Sequence, residues 1–338
     1  MTASVSSMPR SRSPITPVLG QIQAPVRDRL DAVTQEMERI VTGDVPLLAQ
    51  VGKHLMAMKG KMFRPTLVLL SSAVTDTPDD RASILGAVVE LIHLATLVHD
   101  DAVDHSVLRR GMPTINSLFS HQISVIMGDF LYSVALTRIV ALDDIPALRT
   151  LVGASTQMTI GEMRQLSTVE PLTFSEADYE FLIRSKTASL ISAACRVGAS
   201  CGAAAYADAL AKYGDALGMA FQIADDLIDY TEATETTGKP TGLDVREHKV
   251  TLPLISALRT MSPAARARVD AFFASDEPTD AGVAEVIAIV AEAGGLEYAR
   301  RKGAEFAEQA ADALAGLPDT VARDALFASI SYVMERHA

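Results

Sequence analysis

Residues 84–111 read ILGAVVELIHLATLVHDDAVDHSVLRRG. Only Glu90, His93 and Thr96 interrupt the apolar run from Ile84 to Val98. That run is too long for an ordinary strand, so it is read as a helix, and its apolar residues cover nearly every side. Such a helix belongs at the centre of a bundle. Upstream, Thr77-Pro78-Asp79-Asp80 supplies a cap, a first-turn proline and two acids suited to the positive end of the helix dipole. At the other end stand Asp100, Asp101 and Asp104, with Arg109 and Arg110 close behind. Residues four apart share a helix face, so Asp100 and Asp104 point together and Asp101 lies about 100° round. Like charges this close repel, and buried ones need a partner.

The rest of the chain repeats the helical pattern. Ala, Leu, Ile and Met recur at spacings of three and four, and no convincing apolar-polar alternation interrupts them. The fold class is all-α, a single large helical bundle around a central cavity. Ser175 with Asp178 opens a second long helix, EADYEFLIRSKTASLISAACRVGAS. Residues 1–20, with five Ser and three Pro, read as a disordered leader ahead of a domain spanning 21–338. The polar stretch 231–253, holding Gly238, Pro240 and Gly242, reads as a mobile loop because chemistry-bearing residues lie on both sides of it.

Composition narrows the function. Hydrophobic residues make up 49% of the 338, enough for a substantial core. A net charge of -12 and a pI near 5.0 argue against nucleic acid as a partner, although metal ions let an acidic chain bind anions. Cys195 and Cys201 match neither a zinc nor a redox spacing and read as small buried residues. Glu90 and His93 interrupt the longest apolar stretch, and no apolar signal core precedes it. The expectation is a soluble, cytoplasmic protein without a transmembrane segment.

The D-D-x-x-D pattern recurs as Asp225, Asp226 and Asp229 in FQIADDLIDY. Either motif alone could be a solvated helix face. Two such faces opposed across a bundle make a six-carboxylate pocket suited to a hard divalent cation, of which Mg²⁺ is the natural candidate beside phosphate. Cations cluster around both motifs: Arg109, Arg110, Lys186 with Thr187, and Lys239 in the glycine-bearing loop. A second group comprises Lys61 and Arg64 in KGKMFRP, and His93 two turns before Asp100. Singly, each cation reads as surface charge and the histidine as a core residue. Together they point to two anionic ligands, one metal-bound and one held directly by Lys61, Arg64, His93 and Arg110.

In order, GKMFRP, ELIHLATLVHDDAVDHSVLRRG, GEMRQL, SKTASL, FQIADDLIDY and GKPTGLDVREHKVTLPLI make residues 25–338 resemble the trans-isoprenyl diphosphate synthases, or polyprenyl synthetases. The resemblance implies that Asp100, Asp104 and Asp225 bind magnesium on an allylic diphosphate, with Asp101, Asp226 and Asp229 supporting. Arg109, Lys186, Thr187, Gln222 and Lys239 would contact that diphosphate, and Lys61, Arg64, His93 and Arg110 would hold isopentenyl diphosphate. The implied reaction ionises the allylic diphosphate, attacks the cation with the isopentenyl double bond and loses a proton, with the departing diphosphate as proton acceptor. Two departures stand out. Lys59 and Met62 replace a glycine and an arginine of the family pattern, and His248 stands where a glycine normally precedes Lys249.

The small Ala95 and Thr96 one turn before Asp100 leave the pocket floor open, which implies a long product; alternatively Ala95 only packs, and Met127 or Phe130 sets the limit. The chain looks most like the long-chain branch making octaprenyl or decaprenyl side chains of quinones, against a farnesyl or geranylgeranyl product. Competing readings are a class I terpene cyclase, which needs no second diphosphate site, a non-catalytic partner subunit, which tends to lose aspartates, and a di-iron bundle, which needs Glu-x-x-His pairs. The Ala- and Leu-rich surface, together with the resemblance, implies a homodimer.

Overall fold

The computed structural model describes residues 18–41, 45–58, 60–75, 77–167, 170–231 and 241–335. The helices, in chain order, are α1 (Leu19–Gln23), α2 (Arg27–Val41), α3 (Pro46–Ala57), α4 (Phe63–Ser72), α5 (Arg81–Val103), α6 (Ile115–Leu118), α7 (His121–Val140), α8 (Ile145–Leu166) and α9 (Glu176–Ile183). They continue with α10 (Ser189–Ser200), α11 (Ala207–Thr231), α12 (Leu243–Arg246), α13 (Leu252–Thr260), α14 (Pro263–Phe273), α15 (Asp280–Glu292), α16 (Gly295–Leu314) and α17 (Val321–Met334). Among the described residues the only strands are β1 (Leu108–Arg109) and β2 (Met112–Pro113), paired antiparallel. One contiguous hydrophobic core runs from Ile22 to Val333.

The apolar run that decided the fold lies at its centre. Leu85, Val88, Val89 and Leu91 of α5 are fully buried, with α4 and α7 packed along it. α11 is the second axis, flanked by α10 and α16. Helix starts follow local chemistry: the side chains of Ser120, Asp144 and Thr279 each accept from a first-turn N–H, and Ser175 with Asp178 forms the expected capping box. α5 starts later than expected, at Arg81 with Asp80 as its cap residue. The Asp79 N–H is taken by the Cys201 carbonyl and its carboxylate by Arg81, so Thr77 and Pro78 stay outside the helix.

The expected leader falls mainly on residues 1–17, outside those described, and its boundary moves: Leu19 already belongs to α1, because Ile22 anchors that helix in the core. Of the loop at 231–253, residues 232–240 lie outside the described ones, and Lys239 with them. The second long helix is not uniform. Arg184–Ala188 is a π-helical segment between α9 and α10, an insertion common at functional sites. Cys195 and Cys201 are free and buried, and burial pushes the Cys195 thiol up to about 12, so it is inert. α5 and α7 are both long and apolar enough to cross a membrane; 67% of the apolar window of α5 is buried, against 33% for α7.

Candidate active site

Both acidic motifs open onto one cavity of about 1070 Å³. α5 contributes Asp100 and, at its end, Asp104; α11 contributes Asp225 and Asp226 from the facing side. The carboxylates have different partners. Asp101 receives Arg109, whose Nε lies 2.8 and 2.9 Å from its two oxygens and whose Nη2 lies 2.8 Å away. Asp226 is buried and accepts from the Tyr179 hydroxyl at 2.6 Å and Gln222 Nε2 at 2.9 Å. Asp229 caps α12, accepting from the Leu243 and Asp244 N–H groups at 3.0 and 3.1 Å. Four of the six carboxylates of the two motifs, Asp100, Asp104, Asp225 and Asp226, line the cavity, and among the described residues no three acids converge into a ready-made metal cage. That is the arrangement magnesium tolerates when substrate phosphates complete its shell.

Burial perturbs the acids of this cavity. Burial, with Glu162 and Asp104 nearby, pushes the Asp100 carboxyl up to about 6 despite Lys186. Burial also raises the Asp226 carboxyl well above its ordinary value. The π-helical segment places the neighbours Lys186 and Thr187 on the cavity wall: Lys186 Nζ pairs with Glu162 and donates to Gln165 at 2.9 Å, and Thr187 donates to Gln222 Oε1 at 2.8 Å. Tyr179, Asp226, Gln222 and Thr187 thus form one hydrogen-bonded chain from α9 to the cavity wall.

The second group of cations lies in the same cavity. Lys61, Arg64, His93 and Arg110 line it together with Glu90. The hairpin β1–β2 turns at Arg110 and Gly111, both at positive φ (52° and 73°), the pattern of a tight type I′ turn. Its two arginines part there: Arg109 goes to Asp101, while Arg110 Nη1 donates to the Met58 carbonyl at 3.0 Å. Arg64 Nε is buried without a hydrogen-bond partner, which leaves a donor at the cavity wall. Burial, reinforced by Arg64, Arg110 and Arg109, holds His93 well below the usual imidazole value, so it is neutral at pH 7. Gly60 makes this convergence sterically feasible, since a Cβ there would lie 3.1 Å from Arg110 Nη1 and 3.2 Å from Glu90 Oε1. Met62, one of the two departures, adopts φ 50° and caps α4, while Lys59 lies outside the described residues.

The apolar wall comprises Thr96, Leu97, Met158, Leu190, Ile191 and Phe221. Thr96 faces the cavity, whereas Ala95 is packed away in the core. Met127 is fully buried elsewhere, and Phe130 packs on the core without lining the cavity; the bulky residue that α8 offers is Met158.

The sequence profile of the polyprenyl synthetase family matches residues 45–290. The chain belongs to the polyprenyl synthetase family. It is 35% identical to a nonaprenyl diphosphate synthase of Mycobacterium tuberculosis over 96% of this chain and 99% of the relative. Among solved structures, a polyprenyl synthase from Caulobacter crescentus, complexed with calcium and isoprenyl diphosphate, superposes with a TM-score of 0.90 at 34% identity, covering 96% of this chain and 100% of the other. A decaprenyl diphosphate synthase from Rhodobacter capsulatus gives 0.89 at 35% identity, covering 95% and 100%. As a polyprenyl synthetase the chain is a prenyltransferase, with the all-α architecture of those structures.

In this polyprenyl synthetase the structure adds residues that motif reading did not single out. Glu90, noticed only as a break in the apolar run, is buried at the arginine cluster, and burial raises its carboxyl against the opposing pull of Arg64 and Arg110. Asp244 lines the cavity, and burial with Asp229 nearby pushes it up to about 6. Its signal was present inside GKPTGLDVREHKVTLPLI, but no second acid at helical spacing drew attention to it. Gln23, from α1, donates to the Lys61 carbonyl at 2.9 Å and the Thr66 hydroxyl at 3.1 Å, tying the loop that carries Lys61.

Proposed function

We propose that this prenyltransferase condenses an allylic diphosphate with successive isopentenyl diphosphates, using Mg²⁺, to give an all-trans chain of octaprenyl to decaprenyl length. The single observation that carries the reading is that two chemically distinct groups of side chains, the acids of both motifs and the cluster of Lys61, Arg64, His93 and Arg110, line one cavity with an apolar wall. Asp100, Asp104 and Asp225 are the carboxylates that would hold magnesium; hard oxygen donors with one carboxyl pushed up to about 6 fit a divalent cation. Held by these residues, a divalent cation would supply positive charge against the leaving diphosphate.

The chain's own residues do the rest. Arg109, oriented by Asp101, and Lys186, Thr187 and Gln222 contact the allylic diphosphate, with Lys239 assigned to the same task from outside the described residues. Lys61, Arg64, neutral His93 and Arg110 hold isopentenyl diphosphate so that its double bond meets the allylic carbon. Thr96, Leu97, Met158 and Leu190 keep water from the cation and receive the growing chain. No side chain is assigned as general base, and the departing diphosphate takes the proton. A terpene cyclase has no use for the second cationic cluster.

The long product is supported by small Thr96 on the cavity wall and by the nonaprenyl and decaprenyl synthases the chain resembles. We further assign a homodimer, in which α7 (Val125, Ile126, Val140) and α8 (Ile160, Met163, Leu166) cover apolar side chains that are exposed in one chain. A cytoplasmic location and a role in quinone side-chain supply complete the proposal.

Calorimetric titration tests the two-site scheme. Isopentenyl diphosphate is expected to bind without magnesium, and a non-hydrolysable allylic analogue only with it. Metal dependence of both, or of neither, would refute the division of residues.

A further inference from the structure

The short helix α12 ends on a residue in the left-handed conformation, and that residue is a histidine rather than a glycine. His248 has φ 54°. Its N–H reaches the Val245 carbonyl at 3.1 Å, and the N–H of Lys249 returns to the Asp244 carbonyl at 2.8 Å. This pair of bonds is the Schellman closure of a helix, usually built around glycine because a Cβ is strained at positive φ. The turn that the family pattern builds with glycine is therefore kept here by a side-chain-bearing residue.

The ring of His248 is held on two sides. Its centroid lies 5.1 Å from that of Phe273 at 33°, and 5.5 Å from that of Phe272 at 88°. Phe272 and Phe273, at the end of α14, meet each other edge to face at 5.7 Å. Such tilted and edge-on pairs are favourable, and they offset the strain of the backbone. His248 Nε2 is buried and makes no hydrogen bond, and the residue lines the cavity beside Asp244 and Lys249 with its ring held by packing.

The opposite end of α12 is tied to α11 by the Asp229 carboxylate. Between these anchors Asp244 and Lys249 line the cavity, and Lys249 Nζ pairs with Glu247 at 2.7 Å. We propose that His248 is a positioning residue: its ring, lodged against Phe272 and Phe273, fixes the turn that sets Asp244 and Lys249 at the diphosphate end of the cavity. The proposal rests on the allylic-diphosphate reading of that end.

Two variants of the full-length protein separate ring from backbone. His248→Gly relieves the strain and removes the ring, whereas His248→Phe keeps a ring and discards the unused nitrogen. His248→Gly is expected to raise KM for the allylic diphosphate about tenfold, since small misplacements at a diphosphate site are costly, and to leave KM for isopentenyl diphosphate unchanged. His248→Phe should match the wild type in both. Amide exchange at Lys249, whose N–H closes the turn, should quicken in His248→Gly and not in His248→Phe, a readout that needs no catalysis. Wild-type kinetics in His248→Gly, equal shifts in both substrates, or unaltered exchange at Lys249 would overturn the proposal. A wild-type protein that consumes no isopentenyl diphosphate would instead sink the functional reading, and the exchange result would still judge His248.

Discussion

Asp101→Asn separates the two tasks an acid in the first motif can perform. Asp101 meets Arg109 through contacts of 2.8, 2.9 and 2.8 Å, with the carboxylate 7% and the guanidinium 32% exposed. An amide keeps the size and one acceptor, and loses the charge and the second acceptor. Charge-assisted bonds of this kind contribute about 1.5–3 kcal/mol, and the remaining neutral acceptor restores roughly 1 kcal/mol. The net loss of about 0.5–2 kcal/mol corresponds to roughly 2–30-fold in kcat/KM for the allylic diphosphate, because Arg109 is no longer held in one orientation. Magnesium dependence should be unchanged. Asp100→Asn removes a proposed metal ligand and should cost about 10³-fold or more in kcat. Steady-state kinetics with allylic diphosphate and magnesium varied independently give both numbers. If Asp101→Asn falls as far as Asp100→Asn and demands more magnesium, Asp101 is a metal ligand and the argument from Arg109 is wrong.

Three further outcomes follow from the geometry. Gly60→Ala places a methyl against Arg110 and Glu90 and should raise KM for isopentenyl diphosphate about tenfold, leaving the allylic KM alone; no change would mean that Arg110 yields freely. Thr96→Phe should shorten the product by several isoprene units while the first condensations persist, and an unaltered product would remove Thr96 from the elongation path. Asp100 and Asp244 are both raised, to about 6, so ionising them costs the folded state stability. Their contribution is fully present below the ordinary carboxylate range near pH 4 and is lost as pH rises through about 6. Magnesium held at Asp100 would bind its ionised form, so the gain in Tm from magnesium should be small at about pH 5 and larger at about pH 7.5; a gain independent of pH would contradict the assignment.

Much of this was legible in the sequence, and the rest failed for identifiable reasons. The largely apolar run from Ile84 to Val98 placed α5 at the centre, and the i, i+4 rule put Asp100 and Asp104 on one side. It also turned Asp101 aside, but its partner Arg109 comes back only because the chain reverses at His105, which sits at φ 51°. Asp226 and Asp229 share a helix with Asp225, yet they are committed to Tyr179, 47 residues upstream, and to the backbone of α12. Nothing in a helical repeat announces such long-range partners. The π segment that presents Lys186 and Thr187 shifts the register by one residue, which a period of 3.6 conceals. Met127 and Met158 are equally good candidates for a bulky wall until the packing of α7 against α5, and of α8 against α10 and the π segment, shows which one reaches the cavity.

In the proposed reaction one cavity joins a metal-held allylic diphosphate to a directly held isopentenyl diphosphate, repeatedly. The most direct measurement is incubation of the purified protein with farnesyl diphosphate, radiolabelled isopentenyl diphosphate and magnesium, with and without chelator, followed by chromatography of the chains. Label in octaprenyl to decaprenyl products, abolished by chelator, is the predicted result. No incorporation, or incorporation indifferent to chelator, would contradict the account.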